Sequence, residues 1–220
     1  MLDSIEVETD AVPELAVIWL HGLGADGRDF EPIVAELDFR SPVRFVFPHA
    51  PVRPVTINGG MAMRAWYDIL GFDRRAREDD AGIRASAAAV TKLIDRELER
   101  GIPADRVVLA GFSQGGAIAL HTALREPRAL GGVMALSTYL PLAGSLAAER
   151  SVANAGLPIF MAHGTADNVL PLAMGETARS TLEGLGYAVD WHAYGMAHSV
   201  CLEEISAIGA WLAALPPSRD

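Results

Sequence analysis

Residues 107–120 read VVLAGFSQGGAIAL. Arg106 to Ala110 is a short apolar strand, Gly116 to Leu120 opens a helix placed at 114–124, and Ser113 lies on the turn between them. Gly111-Phe112-Ser113-Gln114-Gly115 matches G-x-S-x-G. A serine on such a strand–helix turn has a strained backbone, and its small neighbours allow adjoining elements to approach closely. The helix dipole also favours negative charge developing there. The alternative reading is a serine of a Gly-rich turn that caps the helix. Partners elsewhere in the chain must decide.

On either side, short apolar runs alternate with helix-period segments. Strand-like runs fall at 16–20, 44–47, 106–110, 132–136, 158–162 and 187–193. Phe30, Ile33, Val34 and Leu37 recur at helical spacing after the first run. Ile83, Ala87, Val90, Ile94 and Leu98 mark a helix over 80–100 with Gly101 as its C-terminal cap. Further helices are expected at 172–185 and 202–214, and a Pro- and Gly-rich irregular stretch at 48–66. Apolar strands without alternation, separated by helices, predict an α/β fold with a mostly parallel sheet covered on both faces. With no repeats and no long linker, residues 1–220 are expected to form one domain. In such sheets the reacting groups gather just beyond the C-terminal ends of the strands.

That criterion selects the partners. A serine hydroxyl needs a base to take its proton and a third group to orient the base. Among the acids after Ser113, only Asp167 closely follows a strand, in PIFMAHGTAD. Of the four later histidines, His121 falls in a helix, His163 precedes the acid and His192 lies within a strand. His198 alone occupies a loop after the final strand, in AYGMAHS. Serine, acid and histidine thus follow strands in the required order. A metal site from His163, Asp167 and His198 is compatible with composition but lacks a metal signature, so no metal and no cofactor is expected.

Gly22-Leu23-Gly24-Ala25-Asp26-Gly27 matches the dinucleotide pattern G-x-G-x-x-G. The second strand ends in Phe45-Val46-Phe47-Pro48-His49, without the carboxylate that would hold a ribose, and Asp26 would repel a pyrophosphate. The loop is better suited to offering backbone N–H groups to an oxyanion. His21 and His163 read as packing or hydrogen-bonding residues, and Cys201 as a small core residue. Glu78-Asp79-Asp80 reads as a solvated helix start.

Composition narrows the partners. The chain has 220 residues, half of them hydrophobic, with 28 acidic against 18 basic side chains and a formal charge of −10. Such a balance disfavours nucleic acid and anionic lipid. No apolar run reaches membrane-spanning length, and the acidic N-terminus is not a secretory signal. The lone Cys201 precludes an internal disulfide and suits the cytoplasm.

Taken together, LHGLGADGRDF, AWYDI, GFSQGGAIAL, LSTYLP, HGTADNVLP and GMAHSV, in that order over nearly the whole chain, resemble the acyl-protein thioesterase and carboxylesterase family of α/β-hydrolases. The resemblance implies an α/β-hydrolase fold with Ser113 as nucleophile, Asp167 as acid and His198 as base. It implies Leu23 and Gln114 as backbone oxyanion donors and Trp66 as an aromatic near the acyl pocket. One departure is Asp167-Asn168-Val169-Leu170-Pro171, where the family commonly has two valines before the proline. This departure could alter the shape of the pocket, which Val169 is expected to line. The segment between Tyr139 and Pro158 is too short for a large cap domain. Leu140, Leu142 and Leu146, with Met61, Met63 and Trp66, are expected to line an apolar groove for short to medium acyl chains. The expected substrate is a small ester or thioester. A lysophospholipase, a peptidase and a non-catalytic ligand receptor on the same scaffold remain open, as does a homodimer.

Overall fold

The computed structural model describes residues 1–37, 41–71 and 77–217. A seven-stranded sheet forms its centre. The strands are β1 (Ser4–Glu8), β2 (Leu15–Leu20), β3 (Val43–Pro48), β6 (Val107–Phe112), β7 (Gly132–Leu136), β8 (Ile159–Gly164) and β9 (Val189–Tyr194). A separate hairpin pairs β4 (Val52–Val55) with β5 (Met61–Arg64). The order across the large sheet is β1-β3-β2-β6-β7-β8-β9, with only β1 antiparallel. The helices are α1 (Asp80–Glu99), α2 (Gln114–Arg125), α3 (Ala143–Glu149), α4 (Leu172–Gly184) and α5 (Leu202–Ala213). This is the α/β-hydrolase architecture, without a large cap among the described residues.

Both faces of the sheet are buried, which is why its central strands are apolar throughout. In β2, Ala16, Ile18 and Leu20 pack with Ile83, Val90 and Ile94 of α1 and Ile118 of α2. Leu15, Val17 and Trp19 point the other way, towards Phe30, Ile33 and α5 residues Ile208 and Leu212. Each fully buried aliphatic or phenyl side chain contributes about 1.5–3 kcal/mol relative to exposure.

The ends of α1 follow from single residues. Asp79 caps its N-terminus by accepting from Gly82 N–H at 2.9 Å. At the other end Gly101 takes φ of +92°. Its N–H meets Leu98 O at 3.0 Å and Ile102 N–H meets Glu97 O at 3.0 Å, the paired bonds of a Schellman termination. Residues 31–36, expected from their spacing to be helical, form a 3-10 helix. Pro32 near the start and a length of six residues favour this tighter turn, with Ile33 N–H bonded to Phe30 O at 3.1 Å. The stretch 48–66, expected to be irregular, contains the β4–β5 hairpin, turned by Gly59 and Gly60 at φ of +66° and +79°.

Candidate active site

Ser113 occupies the turn from β6 into α2 with φ 55° and ψ −120°, a conformation that non-glycine residues seldom adopt. Neighbouring strands hold it there. Its N–H donates to Leu136 O at 2.8 Å, and its carbonyl accepts from Thr138 Oγ1 at 2.6 Å. Although Ser113 is the N-cap residue of α2, its hydroxyl makes no capping hydrogen bond. The capping alternative therefore has no geometric support. Gly115 permits the turn, because a Cβ there would overlap the carbonyl oxygen of Leu20.

Asp167 follows β8 and is almost fully buried. Its Oδ1 accepts from the N–H groups of Val169 and Leu170, each at 2.8 Å, and Oδ2 from His198 Nδ1 at 2.6 Å. It does not cap α4, whose N-cap residue is Pro171. Burial by itself would raise the Asp167 pKa, but the bonds from His198 and the two backbone amides outweigh it and hold the carboxyl below its ordinary value. The carboxylate can only accept, so Nδ1 of His198 carries a proton. In the neutral ring Nε2 is then an unprotonated base. Phe112 packs on the imidazole with ring centroids 4.6 Å apart. His163 flanks the acid from the other side, its Nε2 2.8 Å from Leu170 O and 3.6 Å from Asp167 Oδ2. Gly164 brings the strand end against the histidine loop, since a Cβ there would overlap the carbonyls of Met196 and Ala197.

The loop after β2 supplies the opposite wall. Gly24 N–H donates to Arg64 O at 2.9 Å, and Gly27 N–H to His49 Nδ1 at 3.0 Å. His21 is buried, with Nε2 accepting from Ala50 N–H at 3.0 Å and Nδ1 2.7 Å from Gly22 O. Those partners select the neutral Nδ1–H tautomer. Burial lowers its pKa to about 4.

Ser113, Gln114, Leu23, Val169 and His198 line one cavity of about 240 Å³ together with Phe112, Tyr67, Ile69, Tyr139 and Leu170. Ala25 and Asp29 lie at its edge and are shared with a polar cleft that also includes Asp26, Arg28 and Arg64. A larger cleft of about 540 Å³ opens at the opposite ends of the strands, but its lining holds no histidine to activate Ser41. Among the described residues, no three His, Cys, Asp or Glu side chains converge as metal ligands. No described helix is long and apolar enough to cross a membrane.

A serine in this backbone state, sharing a cavity with a histidine held by a buried carboxylate, can be compared with known proteins. The profile of the phospholipase/carboxylesterase family matches residues 3–215. The chain belongs to that family. It is a hydrolase. It is 44% identical over 216 residues to acyl-protein thioesterase 1 of Neurospora crassa, covering 93% of this chain and 88% of the relative. Acyl-protein thioesterase 1 of Yarrowia lipolytica is 38% identical over 216 residues, covering 95% of both chains. The crystal structure of acyl-protein thioesterase 2 from Zea mays superimposes with a TM-score of 0.87 at 29% identity, covering 97% of this chain and 99% of that one.

Within this phospholipase/carboxylesterase scaffold none of the six residues expected to line the apolar groove, Leu140, Leu142, Leu146, Met61, Met63 and Trp66, is among those lining this cavity. Trp66 is fully buried behind the cavity, where its Nε1 donates to His21 O at 2.9 Å. Leu140 and Leu146 belong to the hydrophobic core that also holds Ile118 and Leu120 of α2. Residues beside them take the cavity positions instead. Tyr67 follows Trp66, Tyr139 precedes Leu140, and the two hydroxyls are 2.8 Å apart. Both pairs lie outside regular strands, and the sequence carries no mark of which neighbour faces inwards. Burial raises the pKa of Tyr139 to about 12 and that of Tyr67 well above its ordinary value, so both hydroxyls stay protonated. Glu78, expected to be part of a solvated helix start, is exposed just before α1 and also accepts from Leu142 N–H at 3.0 Å.

Proposed function

We propose that the chain cleaves carboxylic esters or thioesters of short to medium acyl chains through Ser113, His198 and Asp167. The observation carrying this reading is the 2.6 Å bond from His198 Nδ1 to Asp167 Oδ2, which leaves Nε2 as a base in the cavity that Ser113 lines. His198 Nε2 takes the Ser113 proton as the hydroxyl oxygen attacks the acyl carbonyl carbon. Asp167 stabilises the imidazolium, and the backbone N–H groups of Leu23 and Gln114 receive the oxyanion. His198 then protonates the departing alkoxide or thiolate. Water attacks the acyl-enzyme by the same route, releasing the carboxylic acid and restoring Ser113.

The cavity supports the acyl-length assignment. At about 240 Å³ it is smaller than the roughly 300–1,000 Å³ of pockets for drug-sized ligands. Exposed Val169 forms part of its rim. The relatives named acyl-protein thioesterase favour a thioester among the candidate substrates. The test is hydrolysis of an ester and thioester panel by the parent and by Ser113→Ala. Turnover should fall by a factor on the order of 10⁴ to 10⁶. A serine-directed phosphonate should label the parent but not the variant; equal labelling of both would overturn the assignment.

A further inference from the structure

Gln114 takes part in the proposed reaction through its backbone, yet its side chain is also buried, with both the oxygen and the nitrogen of its amide hydrogen-bonded. Oε1 accepts from Trp66 N–H at 2.8 Å, and Nε2 donates to Tyr67 O at 2.7 Å. The amide thus pairs with this chain segment as a neighbouring strand would, one acceptor and one donor facing their complements. Glutamate can offer only acceptors when ionised, and methionine has no comparable donor. Gln114 immediately follows Ser113, so the clasp is anchored on the turn that carries the serine hydroxyl.

The clasped segment has two consequences for the cavity. Tyr67 lines it, and the Tyr67 hydroxyl reaches the Tyr139 hydroxyl on the wall beyond β7. Trp66 extends the network to the β2 end through its 2.9 Å bond to His21 O, just before Gly22 and Leu23. Leaving Trp66 N–H and Tyr67 C=O without partners in a buried site would be costly, so the segment would shift to regain hydrogen bonds.

We propose that the Gln114 side chain is a positioning residue that sets the separation between Ser113 and the Tyr67 wall, and thereby the acyl groups the cavity favours. The inference rests on the assignment of Ser113 as nucleophile. It differs from the oxyanion role because it acts through Tyr67, on the part of the substrate remote from the carbonyl. On this account an octanoyl chain is the more sensitive to the position of that wall, and an acetyl group the less.

The experiment compares the parent with Gln114→Glu, which loses the donor to Tyr67 O, and Gln114→Met, which loses both bonds. Circular dichroism establishes which variants fold; the near-isosteric Gln114→Glu serves if Gln114→Met does not. kcat and KM are measured for acetyl and octanoyl esters, and octanoate binding is measured by calorimetry. Selectivity for octanoyl over acetyl should change by about tenfold or more, mainly through KM, and octanoate affinity should fall similarly. Equal proportional losses for both esters with unchanged octanoate binding would overturn the inference. Failure of the phosphonate to label Ser113 in the parent would instead overturn the nucleophile assignment, while octanoate binding would still report on the Tyr67 wall.

Discussion

Asp167 combines two jobs that pull its chemistry in opposite directions. It must be buried to hold His198 without competition from water, yet burial favours the neutral carboxyl. Three hydrogen bonds resolve the conflict in favour of the anion. Asp167→Asn keeps the size but presents an amide that can donate to Nδ1, which would place the ring proton on Nε2 and remove the base. Turnover should then fall by about 10⁴-fold while octanoate binding is retained. A variant with turnover near that of the parent would show that Asp167 does not select the tautomer.

At the scale of elements, strand ends are brought together by missing side chains. Gly164→Ala would press a methyl group against the carbonyls of Met196 and Ala197, displacing the loop that carries His198. The expected cost is about 1–3 kcal/mol, measured by urea unfolding, with loss of activity at temperatures where the variant remains folded. Unaltered stability and activity would show that the loop gives way freely. The same scale explains what could be read from the sequence. The central strands are continuous apolar runs because both faces are covered, and the triad candidates stand out because each follows such a run. β1 reads SIEVE, with charges on a half-solvated edge, and gives no comparable signal. The β4–β5 hairpin is hidden by Pro54 and two glycines. At the cavity, Ser113 and His198, singled out by strand order, lie with Leu23, Gln114 and Val169, which the family resemblance implied. Trp66 and Leu140 do not, because their orientation depends on tertiary packing.

For the whole molecule, three buried groups outside the proposed triad, His21, His121 and Glu204, have pKa values shifted within the range of about 4 to about 8. His21 and His121 are lowered from 6.5 to about 4, chiefly by burial. Between these values the unfolded chain binds protons that the folded chain does not, so stability is lost as pH falls. Glu204 acts in the opposite sense. Neither of its oxygens has a hydrogen-bond partner at bonding geometry, and burial raises its pKa from 4.5 to about 8, only partly offset by the Cys201 backbone. The folded chain there keeps a proton that the unfolded chain releases, so stability falls as pH rises through that interval. Two imidazoles outweigh one carboxyl on the acid side, and Glu204 acts alone above it. The Tm should therefore peak at about pH 6.5. Relative to the parent, Glu204→Gln should gain stability progressively between pH 5 and pH 8 in thermal melts; a difference independent of pH would contradict this account.

The overlap that forbids a side chain at Gly115 also bears on how the molecule comes apart. It seats the turn carrying Ser113 on the end of β2, and the Ser113 N–H is bonded to β7. Opening that turn separately would break contacts with both neighbouring strands. The turn thus shares the opening free energy of the central sheet, placing it in the same cooperative unit rather than among the fraying loops. On heating, the capacity to react at Ser113 should persist until the sheet itself is lost.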